Sequence, residues 1–174
     1  THGLLYVFLM PPWQHYDEPS HMEYVWLIAH RQQLPLPGDV DRDMRFDFAE
    51  SMARHSFYGA AAATLTFDRT NDPIPEIGLS QLEDSPAYYL LPALAILPVR
   101  HHGIEVQVYA ARMVSVCLLL VTVTCGWGTA RELFPRDHSA RWMLPLSLAL
   151  LPPFVDLMSA VNSDAASVAS YSLF

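Results

Sequence analysis

The residues best placed to do chemistry are two small polar clusters beside apolar runs. Asp17 and Glu18 follow Pro-Pro-Trp-Gln-His-Tyr, a few residues beyond the apolar stretch Gly3–Pro12. Paired carboxylates at such a boundary can bind a divalent cation, position a hydroxyl nucleophile or accept its proton. The same pair is also good first-turn helix chemistry, because acidic side chains favour the positive end of the helix dipole and proline fits the first helical position. The second cluster is Asn162 with Asp164, preceded by Asp156, in a segment otherwise almost without charge. Carboxylates within apolar segments are expensive and mark candidate sites, although Asp164 can equally cap the helix that follows it. Arg112 opens another apolar run, where a guanidinium can snorkel to an interface.

The elements that must position these groups follow from apolar length. Met113 to Ala130 runs 18 residues without a charge, close to the roughly 20 that cross a hydrocarbon core of about 30 Å. A second run, Trp142 to Ser163, is interrupted only by Asp156, and the two are joined by the link 131–141. Two spans joined by a tight turn form a helical hairpin. The link holds Arg131, Arg136 and Arg141, and short arginine-rich links stay on the cytoplasmic side. Residues 13–105 and 162–164 are therefore expected outside. Residues 165–174 start a further inward run that is too short to cross, and Gly3–Pro12 reads as the last turns of a helix that begins before residue 1. The chain divides into the end of a first span (1–12), an extracytoplasmic acidic loop (13–105), and a hairpin with the start of a further span (106–174).

Composition fits this division. Hydrophobic residues make up 52% of the chain and charged residues 16%, but 14 of the 18 acidic groups and 6 of the 10 arginines fall within 13–105, giving that region a net charge near -8. The remainder is close to neutral. There is no lysine and no basic stripe with interleaved aromatics, which excludes nucleic acid as a partner. Cys117 and Cys125 lie too far apart on one helix to bridge and read as small buried hydrophobes. No Cys/His spacing suggests structural zinc. The outer loop is too long to lack structure. In it, Met22, Val25, Trp26 and Ala29 predict an amphipathic helix over 18–33, started by Asp17 or Ser20, and Met44, Phe48, Met52 and His55 predict another within 40–58. Residues 60–84 read as irregular, and Ala87–Val99 as an apolar segment lying in the interface. The fold class is an all-α integral membrane protein, multi-pass in the cell membrane, with short juxtamembrane helices in a long outer loop.

Five stretches in register carry a family resemblance. They are Pro-Pro-Trp-Gln-His-Tyr-Asp-Glu-Pro-Ser-His (11–21), Ser-Pro-Ala-Tyr-Tyr-Leu-Leu (85–91), Tyr-Ala-Ala-Arg-Met-Val-Ser-Val (109–116), Ala-Arg-Glu-Leu-Phe-Pro (130–135) and Ser-Ala-Val-Asn-Ser-Asp-Ala (159–165). Their order resembles the N-terminal third of the membrane glycosyltransferases of the GT-C fold, in particular bacterial relatives of the protein O-mannosyltransferases and lipid A aminoarabinose transferases. The resemblance implies transfer of a sugar from a polyprenyl-phosphate donor to an acceptor at the outer face, with Asp17 as general base and Glu18 beside it, both candidate ligands of a divalent metal. Asn162 and Asp164 would line the same cavity, and Arg112 would hold the lipid phosphate. Members of that family are several times longer, with more spans that complete the donor site. The competing expectation is a non-catalytic accessory subunit that packs against other membrane subunits through the hairpin. A transporter fits less well, because Met113–Ala130 has no charge or break at mid-depth.

Overall fold

A computed structural model describes residues 2–174, and no strand occurs among the described residues. Eight helices follow in order: α1 (His2–Leu9), α2 (Glu18–Arg31), α3 (Arg42–Arg54), α4 (Ala87–Ile96), α5 (Ile104–Leu133), α6 (Ala140–Leu150), α7 (Pro152–Leu157) and α8 (Ser163–Ser172). Two short 3-10 turns, Gly59–Thr64 and Leu97–Val99, complete the regular structure. The all-helical expectation holds.

Both helices expected in the acidic region form, α3 with an amphipathic pattern but α2 buried on nearly every side, with Trp26 of its expected apolar face only half-buried. Asp41 caps α3 by accepting from the Met44 amide at 3.0 Å. Arg45 on α3 grips Glu23 on α2 through both carboxylate oxygens, at 2.8 and 3.1 Å. Met22, Val25 and Ala29 from α2, Met44, Phe48 and Met52 from α3, and Tyr89, Ala93 and Ile96 from α4 share one core. The largest part of the apolar core therefore lies in the region that carries most of the charge. Residues 65–84 hold no regular element.

Helix α5 begins nine residues earlier than its uncharged run. Ile104, Val108 and Ala111 recur on one face and are buried in the core of the acidic region, so tertiary packing recruits this stretch into the helix. At 30 residues α5 is about 45 Å long, and its most apolar 18-residue window has a mean hydropathy of 1.9, so it is long and apolar enough to cross a bilayer. Cys117 lies exposed on α5, contrary to its expected burial.

The second apolar run is not one helix. It breaks at Leu151, which adopts φ -68, ψ 110, because the residue before a proline is pushed out of the α region. Pro152 and Pro153 lack the N–H groups that would bond the carbonyls of Leu148 and Ala149. The Ala149 carbonyl instead accepts from His2 Nδ1 on α1 at 3.1 Å.

Helix α5 packs against both α6 and α8. A Cβ placed on Gly126 would stand 2.6 Å from Leu148 Cδ1, whereas one on Gly128 would meet nothing within 4 Å. Gly126→Leu is accordingly expected to destabilise the α5–α6 contact by about 1–3 kcal/mol, the usual cost of overpacking. Gly128→Leu should stay within about 0.5 kcal/mol. Thermal unfolding in detergent compares the two, and equal effects would remove the close approach as a determinant.

Candidate functional site

Asp17 and Glu18 are neighbours in sequence with opposite fates. Glu18 is fully buried, as is Arg112 on α5. Arg112 Nε donates to Glu18 Oε1 at 2.7 Å, and Nη2 donates to Oε2 at 2.7 Å. The remaining guanidinium hydrogens go to the carbonyls of Val7 (2.8 Å), Met10 (2.7 Å) and Pro11 (3.0 Å). A guanidinium has five N–H donors, and all are used. Glu18 also accepts from the Trp13 amide at 2.8 Å and the Val161 amide at 3.4 Å.

The position of each partner follows from backbone electrostatics. Arg112 meets carbonyls at the C-terminal end of α1, which are left without helical donors and carry the negative end of the dipole. Glu18 sits in the first turn of α2, at the positive end. The structure thus engages Glu18 and Arg112 with each other and with the backbone, rather than with a metal or a lipid phosphate. Among the described residues no group of three or more His, Cys, Asp or Glu side chains is arranged to hold a metal ion.

Asp17 is exposed. It occupies the N-cap position of α2 but makes no side-chain cap, and its φ of 52° places it in the left-handed region. That conformation is uncommon outside glycine, although aspartate tolerates it better than most residues. The cost is sustained by its neighbours, since Glu18 is pinned by Arg112 while Ser20 Oγ and the His21 amide donate to the Asp17 carbonyl. Helix-start chemistry therefore does not account for the Asp17 carboxylate, which is left free.

One turn further along α2, His21 Nδ1 lies 2.8 Å from Tyr89 Oη, and Tyr89 donates to Asp84 Oδ2 at 3.3 Å. The pattern closes with Nδ1–H donating to the phenol oxygen and Nε2 left as an acceptor. Burial pulls the His21 pKa below its ordinary value, against the opposing pull of the charges on Asp17, Asp84, Asp164 and Glu18. His21 is thus a largely neutral imidazole among carboxylates. Burial likewise raises the Tyr89 hydroxyl, which keeps it a donor.

Asn162 is the N-cap of α8, its Oδ1 accepting from the Ala165 amide at 3.0 Å while Nδ2 donates to the Leu157 carbonyl at 3.0 Å. The capping role allowed for Asp164 belongs to Asn162, and the Asp164 side chain is exposed. A cleft of about 560 Å³ opens between α4 and α8, lined by Asp84, Ser85 and Tyr88 on one side and by Ser163, Ser167 and Tyr171 on the other. Neither Asp17 nor Asp164 lines this cleft, although the charges of both act on His21. A further polar couple lies behind the ion pair: the buried His15 ring has Nδ1 3.1 Å from Asp156 Oδ1, misaligned for a hydrogen bond, so that neither ring nitrogen is partnered.

The start of α2 meets the turn before α8 through the Glu18–Val161 contact, and α2 meets α4 through His21 and Tyr89. His21 and Tyr89 fall in two of the quoted stretches, 11–21 and 85–91, but nothing in the sequence pairs them or adds Asp84, since their proximity depends on how α4 packs on α2. No family model, curated protein or solved structure matches this chain.

The division of labour has a measurable consequence. Glu18→Gln leaves Arg112 buried without its counter-charge and is expected to cost about 3–5 kcal/mol, whereas Asp17→Asn, with no contact to lose, should leave the unfolding temperature unchanged. Comparable losses from both would mean that Asp17 also holds the fold.

Proposed function

We propose that this chain belongs to a multi-spanning membrane protein that transfers a sugar from a polyprenyl-phosphate donor to an acceptor hydroxyl at the outer face. The observation that carries this reading is Asp17, an exposed carboxylate held in a left-handed conformation beside a saturated buried ion pair, one turn before His21 on α2. In the proposed step Asp17 accepts the proton of the acceptor hydroxyl as that oxygen attacks the anomeric carbon, and the polyprenyl phosphate leaves. Asp164 and Asp84 supply further carboxylate oxygens for substrate hydroxyls.

The bilayer is supported by surface chemistry. Only 39% of the most apolar window of α5 is buried, whereas the core helix of a water-soluble protein is largely covered. Leu5, Phe8 and Leu9 on α1, Trp142, Met143 and Leu146 on α6, and Leu173 after α8 are also exposed. With α6 and α7 as the second leg, the three unpaired arginines of link 131–141 fall on the cytoplasmic side and the acidic region outside. Single cysteines at Ser80 and Asp137, in a chain with Cys117 and Cys125 replaced, test this in intact cells. Position 80 should react with an impermeant maleimide, and position 137 only after permeabilisation. The reverse pattern would invert the topology.

Asp17→Asn should lower transfer from polyprenyl-phosphate-linked sugars by roughly 10²-fold or more, the scale for losing a positioned base, with folding intact. The accessory-subunit reading draws on a different observation, the complete neutralisation of Arg112, which removes one cation from any donor site. An Asp17→Asn chain that assembles and functions normally would favour it.

A further inference from the structure

A second site lies at the opposite end of the hairpin. Val123, Thr124 and Trp127 of α5 and Trp142, Pro145, Leu146 and Ala149 of α6 enclose an open groove of about 330 Å³. Its walls are almost wholly apolar, since the Thr124 hydroxyl is spent on the Leu120 carbonyl at 2.7 Å. The groove ends toward the link. There the Arg131 guanidinium sits 4.7 Å from the centroid of the Trp127 ring, and Arg141 stands one and two turns before the groove residues Pro145 and Ala149 on the same row of α6. Arg131, Arg136 and Arg141 have no carboxylate within ion-pair distance among the described residues, although Glu132 and Asp137 lie in the same link.

We propose that the α5–α6 groove binds one anionic phospholipid of the cytoplasmic leaflet, an acyl chain lying between Trp127 and Trp142 and the phosphate meeting Arg131 and Arg141. The apolar walls accept a hydrocarbon chain but no headgroup. The unpaired guanidinium groups at one end supply charge complementarity where the phosphate layer would lie. Tryptophans at that depth match the amphipathic ring to the boundary, and the stacking of Arg131 on Trp127 holds one cation over the groove mouth. The occupant is a lipid rather than a soluble phosphate, because the cations flank an apolar slot and not a polar pocket. The inference rests on the bilayer reading given above and is independent of the proposed transfer chemistry.

Brominated lipids test it in the full chain reconstituted into phosphatidylcholine vesicles. The fluorescence difference between the chain and its Trp127→Phe/Trp142→Phe variant reports the groove. Bimane on Cys117, with Cys125→Ser, reports the exposed outer flank of α5. Acyl-brominated phosphatidylglycerol is expected to quench the groove signal at a mole fraction at least about five-fold lower than acyl-brominated phosphatidylcholine, the factor that one arginine near an anionic surface contributes. Arg131→Gln/Arg141→Gln should abolish the difference while leaving the phosphatidylcholine response intact. Equal quenching by the two lipids would overturn the inference and leave the bilayer reading standing, as would quenching at Cys117 with none in the groove, which would mean that another protein segment covers it. Failure of both lipids to quench at either site would overturn the inference together with the bilayer reading.

Discussion

The Glu18–Arg112 pair is the constraint on which the rest of the arrangement depends. A buried ion pair gains little over an apolar replacement of the same shape unless its remaining donors and acceptors are satisfied. Here the backbone satisfies them, and four separate segments are consumed in doing so. Arg112 takes the carbonyls that close α1, while Glu18 takes the amides of Trp13 and Val161. One pair of side chains thus ties the end of the first helix, the start of α2, the upper part of α5 and the turn before α8. The loop that presents Asp17 has no other fixed point of this kind, and its two left-handed residues, Trp13 and Asp17, are the backbone cost of reaching it.

Much of the fold was legible because it rests on periodicity. The spacing of Met44, Phe48 and Met52 depends only on a helix having a buried face, and α3 forms where it lies; α2 forms where Met22, Val25 and Ala29 place it, but its burial on nearly every side, Glu18 and Glu23 included, was not legible in that spacing. The early start of α5 was not legible, because Ile104 and Val108 join the helix through contacts with distant residues. Nor was the break at Leu151, hidden within a run of apolar character although Pro152 and Pro153 stood in plain view.

The site was legible in its residue types and obscure in its roles. Asp17 and Glu18 look equivalent in the sequence, and only the fold separates a buried structural carboxylate from an exposed free one. Arg112 could not be assigned to Glu18 from spacing, since 94 residues intervene. The His21–Tyr89–Asp84 chain had no local signature either, because its members are brought together by packing of α4 on α2.

The bond from His2 to the Ala149 carbonyl bears on the order in which the chain assembles. A proline-broken helix is costly to bring into hydrocarbon alone, because its freed carbonyls have no water to turn to. On the membrane reading, α1 emerges first and already carries the missing donor when the second leg of the hairpin arrives. The two prolines then act as a checkpoint on insertion: a leg that fails to find α1 keeps an unpaired carbonyl and stays marginal in lipid. The end of a helix with few buried residues of its own would in this way govern the placement of a segment that follows it by more than a hundred positions.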